Sequence, residues 1–519
     1  MTAAQAANLI QDGDTVGLMG GGGGLMEASH LFEAIQHRFL STQRPRNLTV
    51  MHALGIGDKK TTGMNCFAHE GLVKRVIGGH WVWSPAMQQL ALNEKIEAYI
   101  LPGGVSSQLM REIGAGRPGL FTHVGLGTVC DPRLGGGKMN TSAKDDLSEV
   151  VMMDGREYLR YKPFPIHVAI VRASAADEDG NISFEHEAAN LDAQSLALAA
   201  KNSDGKVIIQ VKERLPRGSL KAREVRIPAA WVDAIVVDAN QKTSYDIPFD
   251  PAFSGELFGE ARTYSEATDH ANEVSASKEE FSERQAIARR AYTELFNTHK
   301  LRPVINYGVG VPDAVAKIIA ARNEQHRLYQ TIEHGTYGGT LMDGVLFGYA
   351  RNATAMLDAP TQFDFYSGGG LDIAFLGFGE FDQEGNVNVS KLGGLTVGPG
   401  GFIDIAQNAR KVVFCGTFAA KGVKLATGDG KMQVLEQGKV QKLVPKVDQI
   451  TFSGPQAMVR KQHVLYLTER ASFRLTQDGV ELFEIAPGID LQRDVLDQMG
   501  FKPQLAKDIM LMDTSCFNR

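Results

Sequence analysis

A glutamate stands at the end of a short strand-like run, where Leu328 to Ile332 leads into Glu333-His334-Gly335-Thr336-Tyr337-Gly338-Gly339. Two readings fit those seven residues. Glu333 is either a solvated loop carboxylate among glycines chosen for turn geometry, or a covalent nucleophile. A carboxylate is already ionised near neutral pH, so it needs no adjacent base, only a path for a bulky substrate and exclusion of water; residues without side chains open that path. A second loop, Gly398-Pro399-Gly400-Gly401-Phe402, precedes a stretch of helical composition from Ile403 to Arg410 and an apolar run from Lys411 to Phe414. It is either a plain turn or a loop whose backbone N–H groups hold an oxyanion, approached closely where a Cβ would clash.

Other candidates fall away on spacing. Gly20 to Gly24 follows an apolar run, but the dinucleotide-binding pattern Gly-x-Gly-x-x-Gly would need glycine at Leu25. Gly135-Gly-Gly-Lys138 resembles the end of a phosphate-binding loop, yet Pro132 and Met139 stand where that motif needs glycine and Ser or Thr. No Gly-x-Ser-x-Gly elbow occurs, which argues against a serine acyl hydrolase. Glu185-His186-Glu187 reads as a polar strand end and His80 as a packed histidine. Cys66, Cys130, Cys415 and Cys516 are far apart with no Cys-x-x-Cys pair, so reduced thiols are expected and no metal site.

The elements that must position the two loops are those of a large α/β protein. At 519 residues the chain is long enough for two or three domains. With 43% hydrophobic and 22% charged residues and a mean hydropathy of −0.16, it reads as an ordinary globular chain. No run reaches the ~18 apolar residues of a membrane span, and Met1 to Asp14 has no basic residue to open a secretory signal; a cytoplasmic protein is expected. A net charge of −6 leaves no global footprint for nucleic acid or anionic membrane. Thr2 and Gln5 are spaced as a capping box for a first helix, and Thr15 to Gly20 reads as a buried strand. The polar stretch from about Gln241 to Ser277 reads as a connection, followed by a second capping box at Ser277 and Glu280 and a helical face of Phe281, Ile287, Ala288, Ala291 and Leu295.

The two halves are related by a constant offset. His167 to Asp177 leads into Glu-Asp-Gly180-Asn181, and Asp372 to Asp382 leads into Gln-Glu-Gly385-Asn386, so that 382 − 177 = 205. The next apolar runs, from Lys206 and from Lys411, give 411 − 206 = 205. The expected architecture is α/β, two related open domains with mostly parallel sheets covered by helices. Their expected bounds are 1–245 and 278–519, joined by 246–277, with Glu333 in the second.

With these residues in view, the chain resembles the family I CoA-transferases of the single-chain acetate/propionate/acetoacetate type. Glu333, Gly335 and Gly338 match the family's Glu-x-Gly-x-x-Gly, and Gly398, Gly400, Gly401 and Phe402 its Gly-x-Gly-Gly-Phe. Gln362 to Tyr366, Gly368 to Asp372 and Glu484 to Gln492 also look like family segments, as do Glu70 to Lys74, Gly79 to Trp81 and Gly114 to Pro118 in the first half. The resemblance implies that Glu333 attacks an acyl-CoA thioester, forming an acyl-glutamyl anhydride and then a glutamyl-CoA thioester. It implies oxyanion donors at the backbone of Gly400 and Gly401, with Asn386 a possible side-chain donor, and Gly335, Gly338 and His334 supporting the nucleophile. Asn386 has an equivalent in Asn181, so a shared turn is its alternative reading. The substrates implied are an acyl-CoA and a small carboxylic acid, with no permanently bound cofactor, no nucleic acid or membrane partner, and assembly as a homodimer or homotetramer.

Three residues depart from the family pattern. His334 follows the nucleophile, Tyr337 replaces an apolar residue, and Gly103 stands where relatives usually have Gln before Gly-Val. All three bear on the size and polarity of the pocket. Two alternatives remain on sequence alone: an acyl-CoA hydrolase, which would lose the same thioester to water, and a non-catalytic acyl-CoA or metabolite-binding regulator. The second would normally carry an output module, and no segment suggests one.

Overall fold

A computed structural model describes residues 1–257, 282–297 and 300–518. Two compact units result. One comprises residues 1–257, 332–367 and 390–404; the other comprises 282–297, 300–331, 368–389 and 405–518. Compactness therefore divides the chain differently from the expected halves 1–245 and 278–519, and Glu333 packs within the first unit.

The first unit is built on a sheet whose long strands are parallel. Val73–Gly78 lies between Glu97–Tyr99 and Leu48–His52; Thr15–Leu18 pairs with Leu48–His52 and Val168–Asp177; Lys206–Leu215 pairs with Val168–Asp177 and Ala234–Val237. Val168–Asp177 is buried along its whole length, as a central parallel strand covered on both faces must be. Three strands, Leu120–Thr122, Ser148–Met153 and Arg156–Tyr161, form a separate antiparallel sheet. Helix Gly103–Gly114 has eleven of its twelve residues buried.

In the second unit Tyr329–Thr331, Val304–Tyr307, Ile373–Gly377, Lys411–Cys415 and His463–Leu467 run parallel in that order. The antiparallel strands Ala471–Thr476 and Gly479–Ile485 follow. The repeat is visible in the register: Val168 pairs with Lys206, and Ile373 with Lys411.

The expected first helix is present as Ala3–Ala7, with Thr2 and Gln5 forming the capping box. Helix Glu283–Tyr292 buries Ile287, Ala288 and Ala291, and Leu295 is buried beyond it; Ser277, Glu280 and Phe281 lie outside the described residues. The stretch read as a polar connection does not begin as one. Gln241 is buried, donating to Ala173 O and Glu187 at 2.8 Å each, and Phe253 is buried against Tyr349. Its polar side chains pair inward, which composition could not reveal; residues 258–277 lie outside the described set. All four cysteines are free and buried. Among the described residues no helix is long and apolar enough to cross a membrane.

Candidate active site

Glu333 is held at the tip of a tight turn. The Ile332 N–H donates to Thr336 O at 2.8 Å and the Gly335 N–H to Ile332 O at 3.0 Å. Thr336–Tyr337 then pairs antiparallel with Ala355–Met356. Gly335 has φ +115°, and a Cβ there would lie 2.2 Å from Leu357 O, so both conformation and space call for glycine. Gly338 lies against Thr354. His334 is buried, with Nε2 2.6 Å from Gly348 O. Burial lowers its pKa to about 4, so the ring is neutral, and because a carbonyl only accepts, Nε2 carries the proton. His334 thus ties the turn to the 344–348 segment.

The glycine loop faces this turn. A Cβ on Gly401 would lie 2.8 Å from Glu333 Cδ, a contact only glycine permits. Glu333 is partly exposed, yet protein surrounds the carboxyl closely enough that burial pushes its pKa up to about 7, opposed by the Gly401 N–H. The loop is stitched in place. The Gly400 N–H donates to Gly79 O, the Gly103 N–H to Gly400 O and the Trp81 N–H to Val397 O, each at 2.7 Å. Phe402 is buried, its N–H donating to Pro399 O at 2.9 Å, and Gly398 fits beside Gly79 O.

Two expectations change here. The paired donors at Gly400 and Gly401 reduce to one in this structure, because the Gly400 N–H is engaged by Gly79 O. Asn386 serves its turn. Its amide nitrogen donates to Asp382 and Glu384 at 3.1 and 3.2 Å, and its oxygen accepts from the Gly454 N–H at 3.1 Å. Asn181 makes the matching bonds, to Asp177 at 3.0 Å and from the Ala229 N–H at 3.1 Å, so the turn accounts for the residue.

Other residues singled out by sequence fall into place. A Cβ on Gly103 would meet Gly400 C at 3.1 Å, so a glutamine would press on the loop. Tyr337 is partly exposed, and burial raises its pKa while the Gln362 amide opposes the shift. His80 is partly exposed beside Gly400; burial lowers its pKa to about 4, and its Nδ1 has no hydrogen-bond partner. Glu185-His186-Glu187 splits apart: Glu187 pairs inward with Arg172 at 3.0 Å, and His186 pairs with Glu256 at 2.7 Å. Among the described residues no cluster of metal-ligating type occurs.

Motif reading passed over two carboxyl groups. Asp404 is buried three residues beyond Gly401 and takes N–H donors from Gly104 and Val105. Glu27 is fully buried beside Gly20, accepting from the Gly57 N–H at 2.9 Å and from the Tyr245 hydroxyl. The signal was an acid within an apolar stretch, but the partners of both are distant in sequence.

Comparison with known proteins identifies the family. Residues 1–238 match the coenzyme A transferase family. The chain is 40% identical over 518 residues to the acetate CoA-transferase YdiF of Escherichia coli strain K12, covering 100% of this chain and 94% of that one. It is 41% identical over 528 residues to the caffeate CoA-transferase of Acetobacterium woodii, covering 100% and 97%. The crystal structure of the acyl-CoA transferase YdiF from E. coli O157:H7, a thioester complex with CoA, superposes with a TM-score of 0.91 at 39% identity, covering 100% and 95%. The α/β fold and full-length similarity define a CoA-transferase. The chain belongs to the coenzyme A transferase family, and CoA thioesters are its substrates.

Proposed function

We propose that Glu333 is the nucleophile and that the enzyme works by a ping-pong exchange between a short-chain acyl-CoA and a carboxylic acid. The observation that carries this reading is the Glu333 carboxyl itself: it belongs to a residue only partly buried, is touched by Gly401, and is raised in pKa by burial. A carboxylate of higher basicity is the better nucleophile. Attack on the thioester carbonyl expels CoA thiolate and leaves an acyl-glutamyl anhydride. The thiolate then attacks the glutamyl carbonyl, releasing the first acid and leaving glutamyl-CoA. An incoming carboxylate reverses both steps, regenerating Glu333 and a new acyl-CoA. No proton is transferred, so no general base is needed. The Gly401 N–H, which bears on the ionised Glu333 in the free enzyme, would stabilise the oxyanion as charge moves onto the carbonyl. Both anhydrides are high in energy, and binding of the distant CoA arms lowers the barriers to them.

The relatives named for acetate and caffeate support a carboxylic acid as acceptor. The partly exposed Tyr337 and His80 suit an acid with a hydroxyl or oxo group. We further propose a cytoplasmic homodimer or homotetramer. Intact-protein mass spectrometry after incubation with acetyl-CoA and no acceptor tests the reading. A CoA-sized adduct on wild type and none on Glu333→Ala is expected. Free CoA without an adduct would favour a hydrolase, and neither product across several short acyl-CoAs would refute the nucleophile.

A further inference from the structure

Asp404 is 1% exposed, and its two carboxyl oxygens accept from consecutive backbone groups: the Gly104 N–H to Oδ2 at 3.0 Å and the Val105 N–H to Oδ1 at 3.1 Å. Both belong to the first turn of helix Gly103–Gly114. The N–H of Gly103 donates to Gly400 O. The first three N–H groups of the helix, which have no partner within it, are thus all taken by the 400–404 segment. Their partial positive charge favours a carboxyl there. The attachment has little slack, since a Cβ on Gly104 would lie 2.6 Å from Asp404 Oδ1 and 2.4 Å from Phe363 Cδ1. Three residues back along the same segment, Gly401 is in contact with the Glu333 carboxyl.

We propose that Asp404 is a positioning residue for the transfer: its carboxyl fastens the loop bearing Gly401 to the first turn of helix Gly103–Gly114, and so holds the Gly401 N–H at Glu333 while acyl and CoA groups exchange on it. This rests on Glu333 being the nucleophile. The neighbouring charges make the attachment readable by pH. Burial pushes the Asp404 pKa to about 8, the Gly104 N–H opposes that shift, and the Glu333 charge adds to it. Burial raises Glu333 as well, to about 7. Asp404 also acts on Cys130 and Tyr161, and burial raises both well above their ordinary ranges. The two carboxyls titrate as a pair. Ionising both would set two negative charges side by side, so the pair gives up its two protons in separate steps.

The test compares wild type, Asp404→Asn and Asp404→Glu between about pH 5.5 and 9.5. Each rate is divided by the number of sites that take up CoA from acetyl-CoA, measured by intact mass with the adduct mapped to the Glu333 peptide, so that misfolded molecules do not count. In the Asn variant kcat is expected to fall ~10- to 100-fold, with KM for acetyl-CoA within about twofold. The step near pH 8 in kcat/KM should vanish, while the step near pH 7 remains. The Glu variant, an acid on a longer arm, should keep an alkaline step and still lose rate; it carries the same test if the Asn variant takes up no CoA. A wild-type rate per site in the Asn variant overturns the proposal. So does a reduced rate with an unchanged pH profile, which would leave Asp404 a folding role only. No adduct on the wild-type Glu333 peptide would defeat the nucleophile reading and this proposal with it, whereas an adduct with an unaffected Asn variant removes this proposal alone.

Discussion

Glu27 and Glu333 both lie against glycine-rich loops of the same unit, and burial pushes both above the usual carboxylate range, to about 8 and about 7. Their surroundings differ. Glu27 is sealed from solvent and accepts from the Tyr245 hydroxyl and the Gly57 N–H. Glu333 is partly exposed as a residue and has the Gly401 N–H against its carboxyl. The glycines differ in the same way. Gly22 admits the Trp83 ring, which a Cβ would approach to 2.1 Å, whereas Gly401 admits a carboxyl. A raised pKa and a glycine tract are shared by both acids, so neither marks a nucleophile by itself; partial exposure is what sets Glu333 apart from Glu27.

Exchanging each acid for its amide should separate the two most sharply. Glu333→Gln is expected to lose roughly 10⁴-fold or more in transfer rate, while Glu27→Gln stays within about twofold in the same assay. Equal losses would erase the distinction. Adding one methyl group to each loop comes next. Gly401→Ala should cost about 10²-fold in kcat through displacement of Glu333 with a nearly unchanged melting temperature. Gly22→Ala should cost about 1–3 kcal/mol of stability by crowding Trp83 and retain activity per folded molecule.

The pH dependences give the smaller contrasts. Below about 7, kcat/KM should fall about tenfold per pH unit as Glu333 takes up a proton. Glu27 should appear in stability instead. Its folded pKa is raised from 4.5 to about 8, so the folded state holds a proton that the unfolded state releases. Its contribution is complete below the unfolded value and is lost as pH rises through the folded one. The melting temperature of wild type should therefore drop relative to Glu27→Gln between pH 4.5 and 8, measured by thermal unfolding in matched buffers.

Much of this was legible in the sequence because it is local or periodic. The offset of 205 residues survives as strand register, with Val168 opposite Lys206 and Ile373 opposite Lys411. It also survives bond for bond in the Asp177–Asn181 and Asp382–Asn386 turns. Glu333 stood out in the sequence for the opposite reason, as a charged residue ending an apolar run among glycines, and the structure sets its carboxyl against Gly401. The rest depends on partners far away in the chain. Asp404 meets Gly104 across 300 residues, and Glu27 meets Tyr245 across 218. Gly400 loses its N–H to Gly79, which no motif encodes. The compact units escaped for the same reason, since residues 332–367 and 390–404 join the first unit through contacts rather than chain order.

The four buried cysteines give the molecule a property unrelated to its reaction. Burial pushes the thiols of Cys66 and Cys516 up to about 12 and about 11, and those of Cys130 and Cys415 higher still. Only thiolate reacts readily with alkylating reagents, so the native enzyme should be nearly inert to iodoacetamide. Each thiol becomes reactive when its surroundings open, and the order of labelling then serves as an internal clock. Cys66 and Cys130 report on the first unit, Cys415 and Cys516 on the second, so one alkylation time course tells which of the two gives way first.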